Sequence, residues 1–142
     1  MQVKDYMHPE VITVSPADRV STAYQRMREH KIRHLPVVGD SQRLVGLLTD
    51  RDVRKAGASD DAQLAAYDLS YLLEKMTVDD IMTHHVVTVT GETLLAEASQ
   101  VFVDKKFGCL PVVGPQQRLE GILTVTDLLR AYVHYHQSKR EQ

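Results

Sequence analysis

The sequence predicts an α+β fold made of two pseudo-symmetric copies of one β-α-β-β-α unit, each a small mixed sheet with helices. Three observations predict it. Gly46-Leu47-Leu48-Thr49-Asp50-Arg51-Asp52 returns as Gly121-Ile122-Leu123-Thr124-Val125-Thr126-Asp127. Leu35-Pro36-Val37-Val38-Gly39 returns as Leu110-Pro111-Val112-Val113-Gly114, and Val11 to Val14 returns as Val86 to Val89. These pairs, with Gln42-Arg43-Leu44 and Gln117-Arg118-Leu119, keep one offset of roughly 75 positions without a gap, the mark of a duplicated supersecondary unit.

Each copy begins with a short lead-in turn, Val3 to Met7 or Val78 to Met82, before a first strand at Val11–Val14 or Val86–Val89. Ser15-Pro16-Ala17-Asp18 supplies a cap, a first-position proline and an acidic first turn, which predicts a helix start. The helix carries Val20, Ala23, Tyr24 and Met27 at helical spacing, and its twin carries Leu94, Leu95, Ala98, Val101 and Phe102. These stripes are expected to be core.

His34–Val38 and Arg43–Thr49 flank the polar Gly39-Asp40-Ser41-Gln42, which reads as a hairpin, and the second hairpin turns at Gly114-Pro115. Pro36 and Pro111 sit inside predicted strands, where a residue without an N–H fits only an edge or an irregular position. After Asp52 a short helix runs to Ala56, and the second copy closes with a helix from Asp127 to about His136. The first copy with its lead-in spans 1–57, and 78–136 forms the second. Between them, 58–77 is a linker whose amphipathic helix around Leu64, Tyr67, Tyr71 and Leu72 has no counterpart, and 137–142 is a polar tail.

The size of 142 residues suits one compact domain or two small halves sharing a core, and is too short for a catalytic domain besides. With 43% apolar and 25% charged residues the composition is that of a soluble globular protein. The net charge is -2 and Lys and Arg are scattered through both halves, so no basic stripe invites nucleic acid. No apolar run approaches a membrane span and no signal peptide opens the chain, which predicts a cytoplasmic protein without membrane attachment. Cys109, the only cysteine, allows no internal disulfide and no cysteine metal cage, and as the partner of His34 in the repeat it is expected to be a packed thiol.

The polar turn that opens the last helix of each copy carries the candidate chemistry. In Gly-apolar-apolar-Thr-x-x-Asp, the Thr and Asp stand where the amides of a new helix point outward and attract anions. The hydroxyl can donate to a phosphate and the carboxylate can accept from the paired hydroxyls of a ribose. The same residues are also ordinary helix caps. His84 with His85, and His134 with His136, lack the Asp, Glu or Cys companions of a metal site and read as surface histidines. No nucleophile elbow, Walker loop or dinucleotide glycine set is present, so no enzymatic chemistry is expected.

With both motifs following Leu-Pro-Val-Val, and Met7 or Met82 with an apolar-Thr-Val strand further back, the sequence resembles the tandem cystathionine beta-synthase (CBS) domain pair, or Bateman module. The resemblance covers nearly the whole chain. It implies two CBS units packed as one module, with two clefts that bind an adenosine-containing ligand such as AMP, ADP or ATP as a regulatory ligand, with no cofactor. In the first cleft it implies Thr49 and Asp52 for phosphate and ribose, Arg33 for the phosphates, and Val86, Val87, Lys106, Phe107 and Pro111 around the base. In the second it implies Thr124 and Asp127, with Val11, Ile12, Lys31, Ile32 and Pro36 around the base. Gly108 aligns with Arg33, so the clefts are expected to be unequal. The implied function is a regulatory sensor acting in trans on a protein partner, as a homodimer. A structural or oligomerisation module with vestigial sites, and a small nucleotide-acting enzyme, are the alternatives.

Overall fold

The structure is a computed structural model that describes residues 1–56 and 73–140. It divides into two compact units, Ile12–Val86 and Met1–Val11 with Val87–Gln142. The sequence repeats and the spatial units are therefore out of phase. In sequence each lead-in precedes the first strand of its own copy, and in space 1–11 falls in the unit of the second copy and 78–86 in that of the first. The amphipathic helix expected around Tyr67 and Tyr71 lies largely outside the described residues.

In the first-copy unit, α1 (Val20–His30) leads through Lys31, whose left-handed φ of 54° reverses the chain, into β1 (His34–Val38). A tight turn at Asp40–Gln42 joins β1 to β2 (Leu44–Thr49), and α2 (Asp50–Ala56) follows without a break. β1 and β2 pair antiparallel, with His34 opposite Thr49 and a register shift between Val37 and Val38. The lead-in of the other copy adds α3 (Val78–Ile81). Its Thr83 exchanges both backbone hydrogen bonds with Leu47, at 3.0 and 2.9 Å.

The second-copy unit repeats this plan as α4 (Leu95–Lys105), β3 (Cys109–Val113), β4 (Leu119–Thr124) and α5 (Val125–Arg140). Cys109 faces Thr124 and the register shifts between Val112 and Val113, as in the first copy. Here His8 takes the place of Thr83 and exchanges both backbone bonds with Ile122, at 2.9 and 3.0 Å. Each unit buries its own core. Val20, Ala23, Met27, Leu35, Leu48 and Val53 centre the first, and Leu95, Ala98, Phe102, Leu110, Leu123 and Ala131 the second.

Three expectations about local structure are corrected. The strands at Val11–Val14 and Val86–Val89 shrink to single parallel bridges, Val14 with Val37 and Val89 with Val112. Val14 N–H donates to the Pro36 carbonyl and Val38 N–H donates to the Val14 carbonyl. The next rung of a parallel ladder would need an N–H at position 36 to meet Ile12, and proline has none. Pro111 ends the second ladder in the same way, since Val89 N–H donates to its carbonyl. The α1 helix starts at Val20 and not at Ser15-Pro16, because the Asp18 carboxylate accepts from Ser15 N–H at 2.9 Å and closes a turn of its own. Leu94, expected in the core, is the N-cap of α4 and 51% exposed.

The motif glycines are explained by the lead-ins. A Cβ on Gly46 would meet the Met82 sulfur at 2.5 Å, and one on Gly121 would meet the His8 carbonyl oxygen at 2.8 Å. Neither glycine has a positive φ, so close approach and not turn geometry is what excludes a side chain.

Candidate functional site

β2 and α2 join with no intervening loop, so the Thr49-to-Asp52 segment is at once a strand end and a first helical turn. Thr49 N–H donates to Asp52 Oδ2 at 2.9 Å and Asp52 N–H donates to Thr49 Oγ1 at 3.1 Å, a reciprocal cap. The cap uses one carboxylate oxygen. Among the described residues no protein group meets Asp52 Oδ1, and the Thr49 hydroxyl, an acceptor in the cap, keeps its proton for an outside partner. Both residues are half-buried. Asp50 N–H donates to the Arg33 carbonyl at 2.9 Å, which places Arg33 beside the start of α2. The exposed Arg33 guanidinium has no ion pair among the described residues, whereas Asp50 is paired with Arg54 at 3.2 Å.

Arg33, Lys31 and Ile32 line an open pocket of about 290 Å³ with Tyr24, Met27, Arg28 and Asp50. Thr49 and Asp52 are not part of its lining. Ile12, Lys31, Ile32, Pro36 and Val86 all belong to the same unit as Thr49, Asp52 and Arg33. His34, on the adjoining strand, is held below its ordinary value of 6.5 by burial first and by the Arg33 charge second, with Asp50 and Asp52 acting the other way.

The second copy places the same residue types differently. Asp127 is completely buried. Its Oδ2 accepts from Thr124 N–H at 2.8 Å and from the Thr124 hydroxyl at 3.0 Å. Its Oδ1 is 2.8 Å from His8 Nε2 and accepts from the Arg130 guanidinium at 3.1 Å. Thr124 thus holds one carboxylate oxygen, and Arg130 and the His8 ring stand against the other. Val11, Val87, Lys106, Phe107 and Pro111 fall in this unit. Lys106 is the left-handed residue that ends α4, Phe107 is 38% exposed, and Pro111 is buried in β3.

Sequence reasoning missed His8 and Arg130. The repeat held a signal for the first, since His8 aligns with Thr83 beside the two matched methionines. Cys109 is the packed thiol expected of it, and burial pushes it up to about 12. Among the described residues no group of three or more His, Cys, Asp or Glu side chains is placed to hold a metal, and no helix is long and apolar enough to cross a membrane.

Two hairpin-and-helix units with a Thr-x-x-Asp helix start in each define a duplicated α+β module. Comparison with known proteins gives the family: the CBS domain matches residues 3–59 and 78–134, and the chain belongs to the CBS-domain proteins as a tandem pair, or Bateman module. This is a regulatory module and not a catalytic one. The structure of CBSX2 in complex with AMP, a protein of Arabidopsis thaliana, matches with a TM-score of 0.81 at 30% identity, covering 94% of this chain and 97% of that one. The CBS domain pair of MJ0100, in complex with 5'-methylthioadenosine and S-adenosylmethionine, matches with a TM-score of 0.75 at 26% identity over 95% of this chain and 98% of that one. Inosine-5'-monophosphate dehydrogenase of Methanocaldococcus jannaschii is 34% identical over 94% of this chain, which spans only 24% of that enzyme's length.

Proposed function

We propose that this chain is a regulatory module that binds an adenosine-containing ligand, AMP, ADP, ATP or a related nucleotide, and acts in trans on a partner protein in the cytoplasm. The observation that carries the reading is the free half of the Thr49–Asp52 cap, where among the described residues a carboxylate oxygen, a hydroxyl proton and the neighbouring Arg33 guanidinium have no protein partner. A ribose diol can donate to that oxygen, and phosphate oxygens can take the hydroxyl and the guanidinium. CBSX2 with AMP and MJ0100 with adenosine ligands support the ligand class. The base-lining roles of Val86, Val87, Lys106, Phe107 and Pro111, and of Val11, Ile12, Lys31, Ile32 and Pro36, are part of the same proposal. So is a homodimer, since Val125, Leu129, Tyr132 and Val133, spaced to share one face of α5, are 43%, 61%, 64% and 50% exposed.

The test is a thermal melt with AMP, ATP and S-adenosylmethionine. A ligand that binds only the folded state at about one hundred times its dissociation constant adds roughly 2.7 kcal/mol and raises the melting temperature. No shift with any adenosine ligand at millimolar concentration would favour a structural or oligomerisation module with empty sites.

A further inference from the structure

His8 holds Asp127 in a way that nothing in the first copy reproduces. Its backbone is fixed on β4 by the two hydrogen bonds with Ile122, and the absence of a side chain at Gly121 lets it lie that close. Tyr6 anchors the same segment to α5, its hydroxyl 3.3 Å from His134 Nδ1 and its ring 5.7 Å from the His134 ring. With the backbone fixed, the imidazole reaches Asp127 Oδ1 at 2.8 Å while remaining 50% exposed. Thr83 has the same backbone pairing against Leu47 but a shorter side chain, and no contact joins it to Asp52 among the described residues.

We infer that His8 is an internal occupant of the second copy's ribose carboxylate, and that a nucleoside diol is accepted at Asp127 only in exchange for it. The inference rests on the adenosine-ligand reading proposed above. A ribose hydroxyl is a hydrogen-bond donor and needs a vacant acceptor direction. Asp127 has none while Thr124, Arg130 and His8 hold it. Thr124 is held by the cap geometry and Arg130 by its place one helical turn along α5. His8 alone approaches from another segment with a half-exposed ring, and a rotation of its side chain opens one acceptor direction of Oδ1, which Arg130 still holds from the other side, with every backbone bond kept. His8 thereby decides which copy fills first, and among the described residues the Asp52 copy has no such competitor.

Calorimetric titration with AMP tests this in an Asp52→Ala background, where only the second copy's event remains, with circular dichroism as the check on folding. His8→Ala should tighten AMP binding about tenfold or more, the scale of one charge-assisted hydrogen bond. His8→Gln, which keeps a donor at similar reach, should leave it weak, and adding Asp127→Asn to His8→Ala should remove the gain. Equal affinities with and without His8→Ala overturn the inference, and if the wild-type protein still shows a tight event the adenosine-ligand reading stands. No AMP heat in any protein, the wild type included, overturns both.

Discussion

At the start of α2 the Thr49 hydroxyl accepts from Asp52 N–H, whereas at the start of α5 the Thr124 hydroxyl donates to Asp127. The first arrangement leaves a hydroxyl proton and a carboxylate oxygen without a protein partner among the described residues, and the second engages both. Asp52 is half-buried and Asp127 is buried completely. A repeated motif thus specifies a backbone and a cap, while the neighbours of the cap decide which of its polar atoms stay unpaired. His8 and Arg130 make the second helix start a structural joint. At the first, Asp52 Oδ1 and the Arg33 guanidinium have no protein partner among the described residues.

The largest expected difference between the two is in stability. Asp52→Ala removes a cap and should cost about 1 kcal/mol. Asp127→Ala removes a cap and also strands Arg130 and His8, and should cost about 2 to 3 kcal/mol, below the usual figure for breaking a buried pair because both partners reach solvent. Urea unfolding of the two variants measures this, and equal midpoints would break the comparison. Ligand affinity comes next. Arg33→Gly copies Gly108 into the first site, and should weaken AMP about ten- to a hundredfold through the loss of a charged hydrogen bond. Titration of that variant at low and high salt should also show a smaller salt dependence than the wild type.

A smaller difference separates the motif glycines. A methyl on Gly46 meets the flexible end of Met82, but a methyl on Gly121 meets the His8 backbone carbonyl, which cannot move without breaking its pairing with Ile122. Gly121→Ala should therefore be the more destabilising by about 1 kcal/mol, within the usual range for overpacking, and melting temperatures of the pair check it. The smallest effect concerns His34 and its repeat partner Cys109. Because the folded state holds His34 below 6.5, the unfolded chain binds the extra proton first. Its contribution is fully present above 6.5 and is lost as pH falls from there toward the lowered folded value. His34→Cys, which copies the thiol of Cys109, should flatten the fall in melting temperature over that window. An unchanged slope would mean that His34 does not contribute to it.

Much of the fold was legible because it is written locally and twice. Apolar spacing marked α1, α4 and the hairpin strands, Gly39 and Gly114 marked the turns, and the motif marked both helix starts. What misled was also local: Ser15-Pro16 has the composition of a helix start, but Asp18 is committed to a separate turn. Pro36 and Pro111 gave warning that a neighbouring strand would fail, and the hydrogen-bond geometry shows which rung each one removes.

That the chain is a CBS pair, where its hairpins turn, and that Thr49, Asp52, Thr124 and Asp127 begin helices all follow from short motifs and from their return at one offset. That 1–11 joins the unit of the second copy and brings His8 to Asp127 is visible only in the folded chain. That contact links residues more than a hundred positions apart, and no periodicity or local propensity encodes it. It depends on which strand edge the lead-in pairs with, and on a glycine there that lets it approach.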